Sequence, residues 1–213
     1  MRRFTDTLAA LGGVGYVVLA IGGFTLTAAT SFPDTSKSLD QQYAHILANP
    51  PGLGFWAGVV IESVGMILLV VFAVHFAAVL TRRSQSWWLP AAGAGLAVVS
   101  VAVKVASLAP ALEALRHADE LGQGPTTALI GINDVASNVT WAADPAWLLV
   151  TALAIASAPG LPRWLGVATL LAAVGAGSAA AGIEAGQLPL FVWLLLAGVW
   201  ALRTRIPPRQ TPR

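Results

Sequence analysis

The chain contains no cysteine. Disulfides, thiolate nucleophiles and cysteine-held metal or iron–sulfur centres are therefore excluded. Charge is scarce as well: Asp, Glu, Lys and Arg make up 10% of 213 residues. A soluble domain carries about 25%, so there is too little charge here to cover a water-facing surface. Lysine is nearly missing, with two against ten arginines. Histidine occurs at His45, His75 and His117, and only His75 falls in an apolar run. A haem held between two membrane histidines needs a facing pair, which the chain lacks. No Ser/His or Cys/His pairing marks an intramembrane protease, and no catalytic residue, cofactor or metal is expected. The net charge of +2 is split into small groups flanking apolar runs. Such groups are topology signals, so nucleic acid is not expected as a partner.

What is present in abundance is apolar length: 56% of the residues are apolar, in six runs. In lipid the backbone must close its own hydrogen bonds, so runs of about 20 apolar residues become helices. The expected spans are residues 8–29, 54–80, 87–109, 130–158, 163–182 and 188–203, with outer segments 30–53 and 110–125. The fourth span has no sharp start; it begins somewhere between Thr126 and Asn138. Arg2 and Arg3 before the first run resemble a signal peptide's start, but the run is longer than a signal core, and a retained helix is expected. In the second span Gly54, Gly58, Glu62 and Gly65 share a face. Gly12, Gly15, Gly22 and Gly23 punctuate the first, and Gly175, Gly177, Ser178 and Gly182 the fifth. Small residues of this kind let membrane helices approach closely.

Basic residues set the orientation. Arg2, Arg3, Arg82, Arg83, Arg163, Arg203, Arg205, Arg209 and Arg213 fall on one side; Lys37 and Arg116 fall on the other, and Lys104 lies inside a span. The arginine-rich side marks the cytoplasm. The fold expected is all-α: one polytopic six-transmembrane-helix bundle over residues 1–213, N-in and C-in, in the cell inner membrane. Trp56, Trp87, Trp88 and Trp164 lie at span ends, where indoles anchor at the lipid–water interface. In the first outer segment, residues 40–48 can form a short surface helix before Pro50-Pro51-Gly52 stops it. In the second, residues 111–121 can carry the third span past the lipid.

Chemistry is hinted at only by ionisable groups inside the spans: Glu62, Lys104, Asp134 and Asp144, with His75 alone near a cytoplasmic end. A charge at the bilayer centre costs at least about 2.5–3.5 kcal/mol and needs a partner or water. Counting the rise of about 1.5 Å per residue places these acids and Lys104 in the outer half. Asn133, Ser137, Thr140, Asp144 and Thr151 form one helical stripe, with Asp134 and Asn138 beside it. Ser100, Lys104 and Ser107 form another. Pro145 frees the carbonyl near Trp141 and suggests a break that would open a pocket outward. His117, Asp119 and Glu120 match metal ligands by type, but in a helical loop they read as a solvated face. Asn138-Val139-Thr140 fits a glycosylation sequon at or within the membrane, where it carries no meaning in a bacterial chain.

The segment Leu129-Ile130-Gly131-Ile132-Asn133-Asp134 leads into the fourth span, and Gly160-Leu161-Pro162-Arg163-Trp164-Leu165-Gly166 opens the fifth. With a Trp- and Leu-rich last helix ending in Arg, this ordering resembles uncharacterised multi-pass integral membrane proteins of actinobacteria, of the domain-of-unknown-function kind. The resemblance covers residues 129–205; it implies a topology and carries over no catalytic residue. Heavy Arg, Ala and Gly use agrees with a GC-rich bacterial genome.

Three functions follow as expectations. One is an outward-facing pocket of Glu62, Lys104, Asn133, Asp134, Ser137, Thr140 and Asp144 that binds or passes a small polar solute, ion or proton. Another is a structural subunit, in which Lys104 with Glu62 or Asp144 clamps the helix register and small-residue faces meet a membrane partner or a second copy. The third is a lipid-modifying enzyme using the outer acids. The lipid bilayer is the partner common to all three.

Overall fold

The computed structural model describes residues 2–28, 32–34, 36–181 and 183–203. The expected Ala29, Thr30 and Gly182, and the tail arginines Arg205, Arg209 and Arg213, lie outside the described residues. Among the described residues the chain is all-helical, with no strand. The helices are α1 Arg2–Ala28, α2 Leu39–Ala48, α3 Leu53–Thr81, α4 Trp88–Arg116, α5 Ala118–Leu121, α6 Gln123–Ala156, α7 Arg163–Ala180 and α8 Leu188–Arg203. A 3-10 turn, Glu184–Gln187, precedes α8. Four helices are long and apolar enough to cross a membrane: α1 over Thr7–Thr27, α3, α4 and α6. The helices α7 and α8 are apolar but shorter, at 18 and 16 residues.

The six long helices pack as a closed ring in the order α1, α3, α4, α6, α7, α8 and back to α1. Contact across the ring is slight, from α3 to α6 and to α8. Close approach of α1 and α3 is made by glycine. A Cβ added to Gly58 would meet Thr27 Cγ2 at 2.8 Å and the Gly23 carbonyl at 2.9 Å. Gly12, Gly15 and Gly65 face the same contact, whereas Gly22 and Gly54 meet nothing. Gly175 lies against Pro189 and Gly186, closing the turn between α7 and α8.

Two cores fill this frame. The larger one closes one half of the ring with Phe72, Phe76, Trp147, Leu165, Trp193 and Leu194. The smaller one lies at the other end, where Ile46, Phe55, Val59, Ala111, Ala114, Leu115, Ala118 and Ile130 join α2 and α5 to the outer turns of α3, α4 and α6. The short α2 fits the expected surface helix. Its start is fixed by a capping box, in which Ser38 Oγ accepts from the Gln41 amide at 3.4 Å and Gln41 Oε1 accepts from the Ser38 amide at 3.3 Å. It is tied down by Tyr43, whose hydroxyl donates to the Ala118 carbonyl, and by Gln123, whose amide donates to Asp40.

The second outer segment carries the third expected span onward as helix, as residues 111–121 allow, as far as Arg116. Residues 110–125 are mostly helical: α4 runs through Pro110 to Arg116, and α6 starts at Gln123 after a turn at Gly122, φ 76°. That φ favours glycine. The fourth span therefore begins seven residues before the expected 130, and no break occurs at Pro145, since α6 is one helix of 34 residues. The carbonyl of Trp141 loses its i+4 donor to the proline ring, but the helix continues, with Pro145 Cβ packed 3.9 Å from the Cβ position of Gly177.

Candidate functional site

The polar stripes of α4 and α6 meet in an antiparallel seam with three rungs. Outermost, Ser107 Oγ lies 3.2 Å from Asn133 Oδ1 and 2.9 Å from the Lys104 carbonyl, so one proton serves both. Next, Lys104 Nζ donates to Ser137 Oγ at 3.0 Å, and Ser137 passes its own proton to the Asn133 carbonyl at 2.9 Å. Innermost, Ser100 Oγ donates to Asp144 Oδ1 at 2.8 Å. Spacings of three and four residues on α4 and of four and seven on α6 keep each set on one helical face. Two turns further in, α4 carries Gly93, where an added Cβ would lie 3.0 Å from Thr151 Oγ1.

The other expected residues are placed differently. Thr140 lies on the stripe, but its hydroxyl donates to the Ala136 carbonyl of its own helix. Asp134 is exposed beside the seam, within electrostatic reach of Lys104. Glu62 is half-buried on α3, its Cβ and amide against Gly23 of α1, and it also acts on Lys104 through space. The expected direct ion pair is not formed: among the described residues no carboxylate approaches Lys104 Nζ within 4.0 Å. An ammonium has three donors, and one of them is used.

Tyr16 is a member the sequence reading missed. It stands half-buried on α1, and its phenol feels the charges of both Asp144 and Glu62. A single tyrosine amid Gly, Val and Leu gave one faint signal, a polar oxygen in the middle of an apolar run. Its ring meets Phe191 of α8 edge-on at 6.3 Å.

The residues of the seam keep accessible surface. No residue of α6 from 131 to 146 is buried, on any face, and Glu62, Lys104, Asn133, Ser137 and Asp144 are all half-buried. Asp144 is surrounded by neighbouring atoms yet keeps accessible surface, as a group on a crevice wall does. Register explains the opening. Ala10 lies beside Gly198, Tyr16 beside Phe191 and Gly177 beside Pro145. The turn between α7 and α8 therefore stands level with Asp144 and the middle of α1. Beyond that level α1 and α6 continue outward without packing on each other. Below it the ring is plugged by Trp193, with ring centroids 5.6 Å from Trp147 and 5.7 Å from Phe76.

A separate cavity of about 420 Å³ lies at the outer end, lined by Pro50, Pro51, Trp56, Leu115 and Arg116. It belongs to the cap, since Arg116 is about 18 Å along α4 from Lys104. No family model, curated protein or solved structure matches the chain.

Proposed function

We propose that this is a six-span bacterial inner-membrane protein with both termini in the cytoplasm, whose outward-facing crevice binds a small polar solute or takes up a proton. Charge supports the orientation. Ser84 and Ser157 hydroxyls, 2.6 Å apart, tie the α3–α4 turn to the α6–α7 turn. Arg82, Arg83 and Arg163 thus share one end with Arg203, while Lys37 and Arg116 are at the other. That is the positive-inside asymmetry. At about 27 and 24 Å, α7 and α8 nearly match a hydrocarbon core of about 30 Å.

The missing cysteine makes this testable. Single cysteines placed at Ser36 and Arg82 should react with a membrane-impermeant maleimide from opposite sides of intact cells: Ser36→Cys at once, Arg82→Cys only after permeabilisation. Equal labelling of both in intact cells would overturn the topology.

The observation that carries the functional reading is the unpaired state of the charges. Intramembrane ionisable groups pair with one another or face water. Here Lys104 rests on a hydroxyl, and among the described residues neither Glu62 nor Asp144 has a cation within 4.0 Å. A clamp would have joined them. Measured from the cytoplasmic helix ends, Asp144 and Ser100 lie about 18 Å up and Lys104 about 24 Å, all in the outer half. The aromatic plug beneath makes the crevice blind, which favours binding over open passage.

The three rungs support a second reading, in which the seam only fixes the register of α4 on α6. Lys104→Met separates the two. A ligand at a hundred times its Kd adds about 2.7 kcal/mol to the native state. The variant should purify folded in detergent and lose most of the thermal stabilisation that a panel of amines, amino acids and phosphates gives the native chain. Loss of folded protein instead would favour the seam reading.

A further inference from the structure

The geometry points to a zwitterion as the occupant of this crevice: one molecule with a primary ammonium and an anionic group. This rests on the binding reading above and gives it a ligand class. Asp144, half-buried and level with the α7–α8 turn, accepts one hydrogen bond, from Ser100, and among the described residues no cation lies within 4.0 Å of it. A carboxylate in that position calls for a cationic donor. Lys104 has the opposite need, with one acceptor, Ser137, for three N–H groups. The two demands are met by one ligand because both groups lie on the seam between α4 and α6, where Lys104 reaches Ser137. Ser137 and Asp144 are seven residues apart on α6, two turns, or about 10 Å.

Two charge-assisted hydrogen bonds of about 2.8 Å each leave about 5 Å for the ligand's own charge separation. Ethanolamine phosphate and ω-amino acids with two or three methylenes have that span, whereas a single ion cannot touch both ends. Ammonium N–H groups are required at Asp144, so a trimethylammonium should be refused. Glu62 on α3 and Tyr16 on α1 lie within electrostatic reach of the pair, Glu62 of Lys104 and Tyr16 of Asp144. The gap between α1 and α6, above the α7–α8 turn, leads sideways as well as outward. The same zwitterionic chemistry therefore reaches the site as a free solute or as a lipid headgroup.

The test is thermal unfolding of the purified full chain with phosphoethanolamine, phosphocholine, ethylammonium or inorganic phosphate. Phosphoethanolamine should raise Tm, with the other three at least tenfold weaker. Lys104→Met and Asp144→Asn should each weaken phosphoethanolamine at least tenfold, and Lys104→Arg should retain it. Nanodiscs then identify the source. Phosphatidylethanolamine discs, but not phosphatidylcholine discs, abolish the response if the site holds a headgroup; both preserve it if the ligand is free. Ethylammonium or phosphate binding as well as phosphoethanolamine would overturn the zwitterion and leave the solute site standing. No shift with any of the four probes would overturn the solute site itself.

Discussion

Gly58→Leu is expected to lower the yield of folded, monodisperse protein severely and to cost more than about 3 kcal/mol, above the ordinary penalty of overpacking. The reason is what surrounds the glycine. A Cβ there would sit 2.8 Å from Thr27 Cγ2, 2.9 Å from the Gly23 carbonyl and 2.9 Å from Leu26 Cβ. These are backbone atoms and side-chain roots, which cannot swing aside as the tip of a long side chain does. Four added carbons must push α1 off α3, and lipid offers no hydrophobic force to hold the separated helices together. Gly23 mirrors the contact: its Cβ would lie 2.9 Å from the Glu62 amide. The wall carrying Glu62 would move with α1. Gly54→Leu and Gly22→Leu are the controls, since both positions face open space. They should unfold within a few degrees of the native chain in detergent melts, leucine being the better helix former. If Gly58→Leu melts with its controls, the glycine contact does not hold α1 in place. The same geometry bears on the idea that this face meets a partner protein, because in this fold Gly58 is spent on an internal contact.

Sequence periodicity carried the reading a long way, and its failures have physical causes. The second and third spans are long and mostly apolar; α3 matches the second to within one residue at each end, and α4 starts one residue after the third and runs seven residues past its expected end. The start of α6 was blurred by its polar stripe: Thr126, Asn133, Asp134 and Ser137 lower the local hydropathy that marks a span. The helix is instead held there by the outer core, through Ile130 and its packing on α4, and packing between distant segments leaves no mark on local pattern. Pro145 suggested a break because a proline costs a helix one hydrogen bond. It did not show that the ring would pack against Gly177. At the site, each stripe was legible by itself. Which residue of one meets which of the other was not. That register depends on α5 and the turn at Gly122, where a shift of two turns would have put Lys104 beside Asp144 rather than Ser137. Tyr16 joins the group only because α1 closes the ring against α8, a long-range contact between the first helix and the last.

Trp193→Ala should be the most damaging change in the other half of the molecule, at about 3–5 kcal/mol. Trp193 is 1% exposed and stands where the ring has almost no other cross-contact. From α8 it meets Trp147 of α6 edge-on, and Phe72 and Phe76 of α3 at 6.2 and 5.7 Å. Its indole Nε1 donates to Thr169 of α7 at 2.8 Å. Edge-to-face pairs are worth about 0.5–1.5 kcal/mol each beyond burial, and alanine removes three of them. Thr169 is not orphaned, because its hydroxyl still donates to the Leu165 carbonyl at 2.7 Å. Trp193→Phe therefore isolates the hydrogen bond: most ring contact survives, and the loss should be about 1 kcal/mol. The two variants also part in function. The aromatic plug lies beneath Asp144, so a void in place of the indole joins the proposed crevice to the half of the ring at the α3–α4 and α6–α7 turns. Proteoliposomes holding the alanine variant and a pH-sensitive dye should leak protons under an imposed gradient, while those holding the phenylalanine variant or the native chain stay tight. Detergent melts give the stability order, native above Phe above Ala. An alanine variant as stable and as tight as the phenylalanine one would mean that the ring is closed elsewhere, and the crevice could then no longer be treated as blind.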